Sequence, residues 1–265
     1  MDYSRQAKID YYFQEKKDKI NRHLEEIIKE NSLADEAANY YLLGRGNRWR
    51  PVLSLSLAEA FNCRYKNIHY LACTTECLHS ASLILDDIAD GSEKRRGKDS
   101  CHVVFGADKA TLGANRLIIA SYEILNEYSS SRLRKKLIAE ACSIGDLLIQ
   151  GQCSDLVGNF QNQNQVIEMY KKKSGTLFHW AAKIGLLNSD IDDKLIRNFG
   201  YSLGVAYQIF DDIKDKGEDG DKITLKKFLE EDKIKEIGRK YKDETMSFVN
   251  DKFFLEELLN KMVCS

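Results

Sequence analysis

Apolar residues recur at three- and four-residue spacing through most of this chain, a period that predicts helices. Ile9, Tyr12, Phe13, Ile20, Leu24, Ile27 and Ile28 alternate with Lys, Glu and Arg, the stripe of a long amphipathic first helix. Asn31 and Ser32 interrupt it, and a second helix is expected from Leu33 to Leu43. A basic turn, Gly44 to Arg50, follows. Pro51 then sits where the first turn of a helix tolerates it, and that helix runs from Val52 to Phe61. The longest apolar run predicts a helix from Asn67 to Asp87. Further helices are expected over His102–Tyr128, Ser131–Leu156, Asn164–Leu187 and Asp190–Asp215, with weaker ones over Thr224–Tyr241 and Glu244–Met262. No strand alternation, linker or low-complexity tract of useful length interrupts the pattern. It predicts one all-α domain over residues 1–265, an antiparallel helical bundle around a central cavity.

Two of these apolar runs end abruptly in carboxylates. Residues 76–90 close on Asp86, Asp87 and Asp90, and residues 207–215 close on Asp211, Asp212 and Asp215, both with the spacing D-D-x-x-D. On a helix Asp86 and Asp90 share a face. One acidic trio is ordinarily a solvated face or a cap, but a solvated face carries polar residues every third or fourth position upstream, and these runs do not. Carboxylate oxygens suit hard ions such as Mg2+, which takes its remaining ligands from water and substrate phosphates. The paired trios therefore predict two walls of one metal-diphosphate site.

This layout resembles the trans-isoprenyl diphosphate synthases, the polyprenyl synthetase family. Asp86 to Asp90 followed by Arg95-Arg96-Gly97 resembles the family's first aspartate-rich motif, and Tyr207 to Asp215 its second. The likeness runs in matching order from about Gly44 to Thr224. It implies the isoprenoid synthase fold and a prenyltransferase that condenses an allylic diphosphate with isopentenyl diphosphate after ionising the allylic C–O bond. It also implies three Mg2+ ions, two held by Asp86 and Asp90 and the third by Asp211, with Asp87, Asp212 and Asp215 completing the acidic sets. Arg95, Lys173, Ser174 and Gln208 then serve the allylic diphosphate, and Arg50, His79 and Arg96 the isopentenyl diphosphate. Lys171 and Lys172 are given no role, because runs of lysine are usually solvated. A homodimer is implied by the resemblance alone.

Three departures from the family pattern qualify the reading. Asn47 stands where the family has a lysine; losing one charge-assisted bond costs about 1.5–3 kcal/mol, which Arg45 or Arg48 could offset. The loop after Asp215 is short, and Lys222, in what resembles the remnant of the family's G-K-x-T-L-P segment, is expected still to reach the diphosphate. Ala81 and Ser82, one turn before the aspartates, are small where short-chain relatives place an aromatic plug. A product longer than farnesyl, geranylgeranyl diphosphate, is expected, with Ile118 and Ile119 on the next helix as candidate floor residues. A terpene synthase derived from the family, which ionises a prenyl diphosphate without isopentenyl diphosphate, is the competing reading. A non-catalytic partner subunit is a third, disfavoured by the intact aspartates.

Composition narrows the class further. A net charge of −1 with signs intermixed provides no field for nucleic acid. Seven cysteines without a regular framework suggest reduced thiols and a cytoplasmic setting. Cys73 and Cys77 with nearby His79 lack the second ligand pair of a zinc site. The charged N-terminus is unlike a signal peptide, and no run is long and apolar enough to span a bilayer.

Overall fold

A computed structural model of the protein describes residues 3–29, 31–214 and 225–264. Among them the chain is all-α apart from one two-residue hairpin. The helices are α1 Tyr3–Ile27, α2 Leu33–Leu42, α3 Trp49–Ala60, α4 Ile68–Asp90, α5 Cys101–Phe105, α6 Ala107–Tyr128, α7 Ser131–Val157, α8 Gln163–Tyr170, α9 Thr176–Gly185, α10 Asp193–Lys214, α11 Glu231–Phe248 and α12 Phe253–Cys264. No described helix is long and apolar enough to cross a membrane. The backbone groups into two compact units, one of Asp10–Leu55 with Arg64–Glu140, the other of Met1–Ile9, Ser56–Cys63 and Ala141–Ser265.

In the first unit α6 packs along α4 and α2. Small residues permit close approach: a Cβ at Gly113 of α6 would lie 2.8 Å from the Ala37 Cβ. The buried stripe of α4 includes Cys77, Ser80, Ala81, Ile84 and Asp87, spaced by three and four as a helix requires. Gly91 ends α4 in the left-handed conformation (φ 63°), and the Ser92 N–H returns to the Asp87 carbonyl, as in a glycine-capped helix end. Strands β1 (Lys94–Arg95) and β2 (Lys98–Asp99) follow as a tight antiparallel pair. Their turn, Arg96-Gly97, has positive φ at both residues, 54° and 76°, the pattern of the commonest two-residue hairpins.

In the second unit α10 packs on α9, α11, α12 and α8. α9 is buried on every side. Its approach to α10 is close enough that a Cβ on Gly200 would fall 2.2 Å from the His179 Cα, and one on Gly204 would fall 2.2 Å from the Gly175 Cα. α8 and α9 are joined by a π-helical turn, Lys171–Gly175, a widening often found at functional positions. Val205 and Ile209 of α10 share a buried cluster with Met169, Tyr170, Leu225 and Ile234.

The helix pattern read from the sequence stands, with shifted boundaries. One expected helix, His102–Tyr128, is broken at Gly106, whose φ of 87° lies outside the helical region. The expected Asn164–Leu187 helix contains the π turn. The C-terminal break falls at residues 249–252, after Phe248 rather than between Tyr241 and Glu244. The hairpin at residues 94–99 had no counterpart in the predicted elements.

Candidate active site

The first acidic trio splits by direction. Asp87 continues the inward stripe of α4 and is fully buried. It accepts from Arg95 through Nε at 2.8 Å and Nη2 at 2.5 Å, and the Tyr41 hydroxyl of α2 donates to its other oxygen. Burial, then the bond to Asp87, raises the Tyr41 phenol far above its ordinary value, so it remains a donor. Burial weakens the Arg95 charge, but its bonds to Asp87 outweigh that and raise its pKa. Asp86 is half-buried and Asp90 exposed on the neighbouring face.

The second trio repeats the division. Asp212 lies seven residues after Val205 on the inward stripe of α10 and is half-buried. The Tyr170 hydroxyl donates to one of its oxygens, and Gln208 Nε2 donates to the other at 2.8 Å. Burial, then the Asp212 charge, drives the Tyr170 pKa well above normal. Asp211 is exposed. Lys226 Nζ bonds the Asp212 carbonyl at 2.9 Å, so a cation meets the end of α10, where carbonyls lack helical partners.

The π turn adjoins the second trio through Gln208. Ser174 Oγ donates to Gln208 Oε1 at 2.8 Å, and Lys173 Nζ is 2.5 Å from Asp155 of α7. Close packing allows it: a Cβ on Gly151 would lie 2.7 Å from the Lys173 nitrogen. Lys171 pairs with Glu168, and Lys172 bonds Gln150. Gln152, one turn before Asp155, has both amide atoms buried without a partner among the described residues.

Within the first unit, basic residues gather around His79. This half-buried imidazole is held neutral, far below its usual pKa, by burial and then by Arg50, Arg96, Arg95 and Arg48. Arg50 is buried. Asn47 and Arg45 are exposed. Arg96, also exposed, donates from Nη1 to the Arg45 carbonyl at 3.0 Å. The hairpin thus sends consecutive arginines in different directions, Arg95 to the acidic trio and Arg96 to the basic turn. Arg48 is 4% exposed and tied to Glu76 at 2.6 Å, so it cannot offer Asn47 a replacement charge.

Ala81 is buried, and Ser82 is half-buried with its hydroxyl on the His79 carbonyl. Ile118 is half-buried. Ile119 is 52% exposed, and a side chain that open does not close an apolar cavity within one chain. Asp215 and Lys222 lie outside the described residues. Cys73 and Cys77 are buried free thiols, the latter pushed up by burial to about 12, which suits packing rather than metal binding.

Each acidic set has donors suited to Mg2+: Asp86 and Asp90 of α4, and separately Asp211 of α10, carry hard oxygens on half-buried or exposed faces, while Asp87 and Asp212 are tied inward. Among the described residues no three His, Cys, Asp or Glu side chains are gathered to hold a metal on their own. Mg2+ commonly draws the rest of its octahedron from water and substrate phosphates. Sequence reasoning missed Tyr41, Tyr170, Asp155, Gln152 and Lys226. The spacing of Gln152 and Asp155 on one helical face was a usable signal; nothing local marks either tyrosine.

Comparison with known proteins places this geometry. The crystal structure of geranyltranstransferase from Thermotoga maritima superposes with a TM-score of 0.86 at 29% identity, covering 94% of this chain and 97% of that one. An isoprenoid synthase family member from Thermotoga neapolitana superposes at 0.84, also at 29% identity, over 93% and 98%. The fold is that of the isoprenoid synthases. The Polyprenyl synthetase family model matches residues 31–236, and the chain belongs to that family. Geranylgeranyl pyrophosphate synthase 4 of Arabidopsis thaliana is 31% identical over 259 residues, 87% of this chain and 70% of that protein. The geranylgeranyl pyrophosphate synthase of Geoglobus acetivorans is 31% identical over 209 residues, 74% and 64%.

Proposed function

We propose that this chain is a Mg2+-dependent prenyltransferase that joins an allylic diphosphate to isopentenyl diphosphate and releases a longer trans-prenyl diphosphate, geranylgeranyl diphosphate. The observation that carries the reading is the duplicated carboxylate arrangement. In each trio the middle aspartate takes a tyrosine hydroxyl and a second donor, leaving the first aspartate accessible.

Asp86, Asp90 and Asp211 would hold the metal, with Asp87 and Asp212 fixing the backbones that carry them. Mg2+ held by these carboxylates would supply Lewis acidity that offsets the charge of the diphosphate, which would depart from the allylic carbon with the electron pair of the C–O bond. Lys173, steadied by Asp155, and the outward N–H groups of Arg95 would bind the same diphosphate by charge-assisted bonds. Gln208, oriented by Ser174, supports them. Arg50, Arg96, neutral His79 and Asn47 would hold isopentenyl diphosphate. Its double bond then attacks the allylic carbon, one C–C bond forms, and one proton leaves to the released diphosphate.

Small residues at positions 81 and 82 favour a long product. Leu112 and Ile119, both more than half exposed on α6, suit a second copy of the chain, and buried thiols suit a reducing compartment such as the cytoplasm. Labelled isopentenyl diphosphate, supplied with Mg2+ and each allylic starter in turn, tests the function. A labelled geranylgeranyl product is expected. Hydrocarbon or alcohol released from a prenyl diphosphate alone, with no label incorporated, would replace this reading with the terpene synthase one that Asn47 favours.

A further inference from the structure

A cavity of about 440 Å3 opens beside the Gly44–Arg50 turn, lined by Lys17, Asn21 and Glu25 of α1 and by Arg45, Asn47 and Arg48 of the turn. Residues 17, 21 and 25 succeed one another at one-turn spacing, so they form one stripe of the helix. The cations here are not equivalent. Arg48 is spent: Nε donates to Asn21 at 3.0 Å, Nη2 to the Gly44 carbonyl at 2.8 Å, and Nη1 pairs with Glu76. Asn47 carries no charge. Lys17 is half-buried and makes no hydrogen bond or ion pair with the described residues. Its ammonium lies 6.0 Å from the Phe13 ring centroid. Burial, then Arg48, push its pKa down, against the weaker opposing charges of Asp18 and Glu76. The net effect still disfavours the charged form, and a partly desolvated ammonium with no bonded partner among the described residues is stabilised by an incoming anion. Glu25, the carboxylate in the lining, is exposed and two turns along the helix.

The identity of the anion follows from what adjoins the cavity. Arg96 bonds the Arg45 carbonyl, so the hairpin tip reaches the turn. His79 lies in the field of Arg50, Arg96 and Arg48. A compact, multiply charged group matches this density of positive charge better than a carboxylate does. We propose that Lys17 is a specificity-determining residue of the isopentenyl diphosphate subsite, its ammonium supplying to the diphosphate the charge that Asn47 lacks. The inference rests on the prenyltransferase reading.

Binding of isopentenyl diphosphate without an allylic partner, measured by calorimetry, tests it without turnover. Lys17→Met should bind about ten- to a hundred-fold more weakly, the effect of losing one charge-assisted bond. Adding Asn47→Lys to that variant should restore affinity to within about three-fold of wild type. The KM for the allylic starter should stay unchanged in both. Wild-type affinity in Lys17→Met, or a defect that Asn47→Lys leaves unrepaired, overturns the role of Lys17. A wild-type chain that binds isopentenyl diphosphate but never elongates with it contradicts the prenyltransferase reading instead, and the Lys17 comparison stays readable.

Discussion

Asp87 and Asp212 hold equivalent places in their trios, and each is turned inward onto a tyrosine. That division was only half legible in the sequence. Spacing places Asp86 and Asp90 on one face of a helix, and continuing the stripe from Cys77 through Ile84 brings Asp87 to the buried side. Nothing in the sequence pairs Asp87 with Tyr41, 46 residues away. The Arg95-Arg96-Gly97 run illustrates the same limit. Its residues are plain to read, but their opposite tasks depend on a turn with two positive φ values. Removing a partner from a buried charge costs more than removing an exposed cation. Arg95→Met should therefore destabilise the chain by about 3 kcal/mol, whereas Arg96→Met should cost under about 1 kcal/mol. Denaturant unfolding of the two variants gives the comparison. Equal stability would mean that the Arg95–Asp87 pair does not brace α4.

Helix existence was readable because 3.6-residue periodicity is strong in long amphipathic segments. Helix ends were not, since Gly106 and the break after Phe248 reflect local backbone geometry. The π turn at Lys171–Gly175 was equally hidden, although it sets Lys173 toward Asp155 and Ser174 toward Gln208. That arrangement depends on how closely α10 approaches the turn. Gly204→Ala would force a Cβ to 2.2 Å from the Gly175 Cα, so the elements must separate. Overpacking of this kind costs about 1–3 kcal/mol, and displacement of Ser174 should lower kcat at least ten-fold. Gly145 has nothing within 4 Å of an added Cβ, and Gly145→Ala in α7 should instead add about 0.5–1 kcal/mol with unchanged turnover. Melting curves and initial rates of both variants check this. A Gly204→Ala enzyme with normal kcat would remove the π turn from the account of the site.

At the scale of the whole molecule, the family and its fold were legible from two motifs and a helical period. The product and the assembly depend on surfaces that no motif encodes. Ile119 shows why: its place in the sequence suggested a cavity floor, yet it is exposed on α6. The central claim is that the carboxylates of α4 and α10 serve one reacting diphosphate. If so, removing either set should be as damaging as removing both, because residues that act as a unit are not additive. Calorimetric titration of the wild type, Asp86→Ala, Asp211→Ala and the double variant with inorganic diphosphate and Mg2+ measures this directly. The account predicts one Mg2+-dependent diphosphate site per wild-type chain and comparable loss of affinity at that site, at least ten-fold, in all three variants. Two Mg2+-dependent sites per chain, with each substitution abolishing one and sparing the other, would contradict it.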